Sequence, residues 1–287
     1  MKKVFVLLLY VAPILAAAQK TDHTLEKKLQ NAIAGYNGSI GVYVKDLRTG
    51  KTVAINADTI FPTASIVKVP ILVGIMDRIE KKELDYDSLL TYKDSLFYSG
   101  SDILGSFKAD EKIALKKLMM LMLTTSDNTA SLWLQSLAGT GTRINELMEG
   151  LGLKDTRVNS RTPGREAFRA IYQWGQTTPK EMGILFEKIY HNEVFSAAAC
   201  ERMMRCLGRN YWDENEAISQ IPPTIEVFSK NGCVNASRSE AMIVNAPKHP
   251  YVFCIFTKNN KDERWEHANE AWAMARKLSK MLWEYYR

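Results

Sequence analysis

The feature that most constrains the fold is the order in which two kinds of hydrophobic periodicity follow one another. Alternation with a period of two, which gives a strand two unlike faces, is confined to the chain ends. It runs over Ser39 to Asp46 and, past the turn signal Arg48-Thr49-Gly50, over Lys51 to Ile55. Three apolar or alternating runs come much later: Ile225 to Ser229, Ala241 to Asn245 and Tyr251 to Thr257. Between the two groups, from Ser65 to about Met204, the spacing is helical, over Ile66 to Ile79, Leu115 to Thr124, Asn128 to Leu137, Ile144 to Leu151 and Pro179 to Tyr190. A helical stretch from Leu25 to Tyr36 precedes the first strand, and an amphipathic one from about Glu266 to Tyr286 follows the last. The simplest packing is an α+β fold with one antiparallel five-stranded sheet built from both chain ends, terminal helices flanking it, and a helical lobe inserted. This predicts an α/β sandwich lobe over residues 19–62 and 211–287, an all-α lobe over 63–210, and a cleft between them where a ligand would bind.

Composition narrows the function. With 46% hydrophobic and 24% charged residues the chain can bury a core, which excludes a disordered or low-complexity protein. The formal charge of +6 is spread among acids rather than gathered into a basic stripe with exposed aromatics, so no nucleic-acid partner is expected. Lys2 and Lys3, the apolar run Val4 to Leu15 and the small residues Ala16 to Ala18 read as a secretory signal over residues 1–18, hence an exported, periplasmic protein. That run is too short to span a bilayer and contains Pro13, so no membrane span is expected in the mature chain. Cys200, Cys206, Cys233 and Cys254 have no zinc-ribbon spacing and the four histidines lie far apart, so the reading is free thiols, no metal and no cofactor. A monomer is the simplest expectation.

Three short motifs fall where the periodicity changes. Ser65-Ile66-Val67-Lys68 opens an apolar helix, and three residues is nearly one turn, so hydroxyl and ammonium share a face. A serine hydroxyl attacks only if a neighbour takes its proton, and a lysine can do so where burial or nearby positive charge makes its neutral form accessible. Ser126-Asp127-Asn128 sits between two helical runs, where the same residues would also serve as caps. Lys230-Asn231-Gly232 follows Ile225 to Ser229 and by itself reads as a strand ending in a turn.

In this order, 61 and 104 residues apart, the motifs resemble the S-x-x-K, S-D-N and K-T-G set of the class A β-lactamases and the wider penicillin-recognising serine hydrolases. The resemblance covers nearly the whole mature chain and implies the β-lactamase/transpeptidase-like fold, in agreement with the periodicity. It implies Ser65 as acylated nucleophile, Lys68 as base, Ser126 as proton relay to the leaving nitrogen, and Asn128 as holder of Lys68 and a substrate amide. It also implies an oxyanion hole from the backbone N–H groups of Ser65 and Cys233, and carboxylate binding by Lys230, Asn231 and Arg238 along the Lys230-Asn231-Gly232 strand.

Two departures from the family pattern matter. Asn231 stands where the family has Thr or Ser, which implies altered specificity. The loop Asn159-Ser-Arg-Thr-Pro-Gly-Arg-Glu-Ala-Phe has Thr162 or Pro163 where R-x-E-x-x-L-N places the glutamate that activates the deacylating water. Glu166 is the nearby carboxylate; either it takes that place in a rearranged loop, or it is solvated and pairs with Arg165. Two functions remain open: a β-lactamase turning over through a Ser65 acyl-enzyme, or a penicillin-binding protein, D-alanyl-D-alanine peptidase or β-lactam and cell-wall peptide sensor that deacylates poorly.

Overall fold

The computed structural model describes residues 20–287, so the expected leader lies outside the described residues. The main sheet has five strands, β1 (Ser39–Asp46), β2 (Thr52–Ile55), β3 (Val227–Val234), β4 (Ser237–Val244) and β5 (Tyr251–Lys258), ordered β2-β1-β5-β4-β3 and antiparallel throughout. The chain ends meet along β1 and β5, in register from Ser39 opposite Lys258 to Asp46 opposite Tyr251. Side chains alternate between faces. Val42, Val44, Met242, Val244, Phe253 and Ile255 share one core with the terminal helices His23–Ile33 and Glu270–Tyr286. Tyr43, Ala241, Ile243, Val252, Cys254 and Phe256 join the other, which takes in the helix Pro179–Tyr190 and the helical region. With both faces covered, β5 is buried from Tyr251 through Thr257. Gly183 lets helix Pro179–Tyr190 press onto the sheet, because a Cβ there would lie 2.5 Å from the Tyr43 ring.

The helical region surrounds helix Lys68–Glu80, buried without a break from Lys68 to Asp77 and ringed by helices Leu115–Thr124, Asn128–Leu137, Thr140–Gly150 and Ala197–Leu207. A helix covered on every side needs no polar face, which explains the nearly continuous apolar run after Lys68. Helix Glu166–Tyr172 has no buried residue, and its short apolar row Phe168, Ile171 and Tyr172 is left largely in solvent.

One expectation is corrected. Strand β3 does not end in a turn at Lys230-Asn231-Gly232 but runs on to Val234, with the reversal at Asn235-Ala236. Asn-Gly is a turn signal in isolation, yet here β4 supplies a partner for every residue, from Lys230 opposite Ala241 to Val234 opposite Ser237, and the ladder overrides it. All four cysteines are free; Cys200, Cys206 and Cys254 are buried and Cys233 is half-buried. Among the described residues no helix is long and apolar enough to cross a membrane.

Candidate active site

Ser65 lies in the short 3-10 turn Ala64–Val67 that runs directly into helix Lys68–Glu80, so that its hydroxyl stands over the first turn of that helix. Ala64 enters the turn with φ +43°, and Ser126 sits at φ +61° just past helix Leu115–Thr124. Each is a left-handed conformation costing a non-glycine residue about 1–2 kcal/mol. Both persist because their surroundings fix them, a pattern common where backbone must aim a functional group. For Ser126 the anchor is Asp127. Its carboxylate caps helix Asn128–Leu137 through Ala130 N (2.7 Å) and accepts from Ile103 N (2.6 Å) and Leu104 N (2.9 Å). The middle residue of the triplet is thus structural, and the outer two, Ser126 and Asn128, are free to face Lys68.

Lys68 is the hub. Its buried Nζ is 3.1 Å from Ser65 Oγ, 2.9 Å from Ser126 Oγ and 2.9 Å from Asn128 Oδ1, and it also donates to the Ser126 carbonyl. Burial, and after it the positive charge of Lys230, hold its pKa well below the ordinary lysine value, with Asp127 pulling weakly the other way. The amine therefore reaches its proton-accepting form far more readily than an exposed lysine.

Strand β3 forms the facing wall. A Cβ on Gly232 would lie 2.3 Å from Thr63 O and 3.0 Å from the backbone nitrogens of Ser65 and Ile66, so glycine is what allows the strand to lie against the Ser65 turn. That contact sets Cys233 beside Ser65, where the oxyanion hole was expected. Lys230 is buried and its Nζ donates to Asn231 O (3.0 Å) and Asn231 Oδ1 (3.1 Å). Burial pushes its pKa down to about 8 against the opposing pull of Cys233, Glu216 and Glu240. Ser65, Ser126, Gly232 and Cys233 line a cleft of about 250 Å³ whose remaining walls are Trp212, Trp265 and Trp272 with the polar Ser101, Asn215, Glu216 and Asn231. A larger cleft, about 790 Å³, lies between helix Ala197–Leu207 and β3 and contains none of the motif residues.

Arg238, Arg165 and Thr162 are placed otherwise than the sequence suggests, while Glu166 is solvated, as one of its two readings has it. Arg238 is not among the residues that line the cleft: its guanidinium donates to the carbonyls of Val234, Asn235, Ser237, Glu263 and Arg264 and stacks on two that do line it, Trp265 and Trp272, at 4.2 and 4.8 Å. Glu166 is exposed, and its Oε1 accepts from Gly164 N at 3.2 Å. Arg165 does not pair with it but donates to Asn159 Oδ1 and Gln176 Oε1 and stacks on Phe168. Thr162, which the loop count put in the glutamate's place, turns toward helix Thr140–Gly150, against Gly141. The loop instead sets the indole of Trp174 5.9 Å from Lys68 Nζ, with Tyr98 edge-on to it.

Sequence reasoning missed Trp174, the three tryptophans of the cleft, and the buried carboxyl groups of Glu216 and Glu240. Nothing in their local sequence marks them, since each reaches the site from a separate segment.

Sheet order, inserted helices and a serine-lysine pair at their junction define the β-lactamase/transpeptidase-like class of fold. Among solved structures, that of a PBP-A point mutant, an acyl-enzyme complex with penicillin G, matches with a TM-score of 0.82 at 22% identity, covering 93% of this chain and 97% of that one. A β-lactamase from Chitinophaga pinensis matches at 0.82 and 19%, covering 91% and 99%. The chain belongs to the β-lactamase enzyme family, whose pattern matches residues 24–286. β-Lactamase VEB-1 of Pseudomonas aeruginosa is 21% identical over 298 aligned positions, 99% of this chain and 98% of that protein.

Proposed function

We propose that the protein is an exported serine β-lactamase that opens the lactam amide through a Ser65 acyl-enzyme, with acylation faster than deacylation. The observation that carries this reading is the position of Lys68 Nζ, buried and within hydrogen-bonding distance of both Ser65 Oγ and Ser126 Oγ. Neutral Lys68 takes the Ser65 proton as Oγ bonds to the lactam carbonyl carbon. The proton then passes through Ser126 to the ring nitrogen as the C–N bond breaks, which leaves an ester on Ser65 and regenerates neutral Lys68. The backbone N–H groups of Ser65 and Cys233 would stabilise the developing oxyanion, and Lys230 and Asn128 would hold the substrate.

The second reading, a penicillin-binding protein or D-alanyl-D-alanine peptidase whose acyl-enzyme persists, is favoured by what surrounds Lys68 on the loop side. An indole is there, while Glu166 is out in solvent. The likeness to the PBP-A mutant, an acyl-enzyme with penicillin G, supports the acylation half common to both readings.

Nitrocefin kinetics separate the two. We expect a burst of one equivalent per protein followed by slower steady hydrolysis, and neither phase in Ser65→Ala. A burst that stalls leaves only the penicillin-binding reading, and hydrolysis or fluorescent-penicillin labelling that survives in Ser65→Ala removes both.

A further inference from the structure

The carboxylate-binding wall expected from the sequence is built differently in the fold. Of its three members, Arg238 gives its donors to backbone carbonyls outside the cleft. Asn231 gives its amide N–H to Glu216 Oε1 at 3.0 Å, while its carbonyl oxygen accepts from Lys230. Lys230 alone remains as a cation, and it faces a carboxyl group across Asn231. Glu216 lines the same cleft as Ser65, although it is only 6% exposed, and its Oε2 accepts the backbone N–H of Asn215 at 3.0 Å. Glu240, opposite Asn231 in the β3–β4 ladder, sits behind it; its Oε2 accepts from Ala217 N at 2.6 Å and its buried Oε1 has no hydrogen-bond partner.

We propose that Glu216 makes this cleft select acyl donors in which the group beside the scissile amide is uncharged, a primary amide above all, rather than a free carboxylate. The proposal rests on the acylation of Ser65 proposed above and names the substrate class of that site. A substrate carboxylate bound beside Asn231 meets a second carboxylate in a confined cleft, where like charges are poorly screened and the penalty falls on binding. A primary amide placed there meets no such repulsion, and its N–H can donate to Glu216, which lines the cleft. Burial raises the pKa of Glu216, with its hydrogen bonds to Asn215 and Asn231 and the charge of Lys230 opposing, and pushes that of Glu240 up to about 8. Glu216 accepts an N–H at each of its oxygens, from Asn231 and from Asn215, as a carboxylate does, and of the two acidic groups it is the one that lines the cleft a substrate enters.

The test uses the full-length protein, benzylpenicillin and its primary amide, with the Ser65 adduct followed by intact-protein mass spectrometry. Wild-type protein is expected to be acylated by the amide at least as efficiently as by the acid. Glu216→Gln is expected to shift the acid-to-amide ratio about tenfold toward the acid, through apparent binding more than through the limiting acylation rate. A wild-type preference for the acid of more than about tenfold, or a ratio unmoved in Glu216→Gln, overturns the proposal. Should the variant fold poorly, the wild-type ratio decides by itself. If neither probe modifies Ser65, the acylation reading has failed and this proposal falls with it; if both do and the ratio is unmoved, only the role of Glu216 is refuted.

Discussion

Replacing Lys230 with arginine should change the shape of the pH–acylation profile rather than only its height. On the proposed mechanism two lysines of the wild-type protein must be in opposite states, Lys68 neutral to take the Ser65 proton and Lys230 charged to stabilise the developing anion. The rate therefore climbs as pH rises through the lowered pKa of Lys68, and falls as Lys230 loses its proton at about 8. The displacement of Lys230 from 10.5 to about 8 is worth about 3 kcal/mol against the charged form, the net of burial and the opposing pull of Cys233, Glu216 and Glu240. Above this pKa the rate should drop toward tenfold per pH unit, to about a half at pH 8 and about a tenth at pH 9. Arginine keeps its charge beyond about pH 12. Lys230→Arg should then lose the falling limb while the rising limb, set by Lys68 against a charge that is still present, stays in place. The assay is single-turnover nitrocefin acylation by stopped flow from pH 5 to 10, with melting curves to confirm folding. The reasoning is refuted if a falling limb near pH 8 persists in Lys230→Arg and disappears in Glu240→Gln, because Glu240 also titrates at about 8. A flat wild-type profile between pH 7 and 10 refutes it as well.

Two further outcomes follow from the geometry. Glu166→Gln should leave both acylation and steady turnover within about twofold of wild type, because Glu166 is exposed, bonds to Gly164 N and is not among the residues lining the Ser65 cleft; trapping of the acyl-enzyme in that variant would make Glu166 the deacylation base after all. Gly232→Ala should reduce acylation at least about a hundredfold and lower the melting temperature, since its Cβ would lie 2.3 Å from Thr63 O and must push β3 off the Ser65 turn; near-normal acylation would mean that this contact does not position the nucleophile.

The sequence by itself determined the architecture and the proximity of Ser65 to Lys68. A five-stranded sheet from both chain ends follows from where period-two and period-3.6 patterns lie, and Leu115–Thr124, Asn128–Leu137 and Pro179–Tyr190 are the helices it predicts. Ser65 and Lys68 share a face because they are three residues apart, a local fact of helix geometry. What only the tertiary structure decided is which charges face the cleft. Arg238 and Glu216 lie 22 positions apart and each is locally unremarkable; packing turned the first onto a loop of carbonyls and the second onto Asn231. The turn signal at Asn231-Gly232 likewise gave way to the β4 ladder, and the loop count that put Thr162 at the site missed that the chain delivers Trp174 there. Periodicity and spacing are carried by the backbone and can be read along it, whereas the electrostatics of a buried site come from side chains meeting across the fold, where each charge is set by neighbours that are remote in sequence.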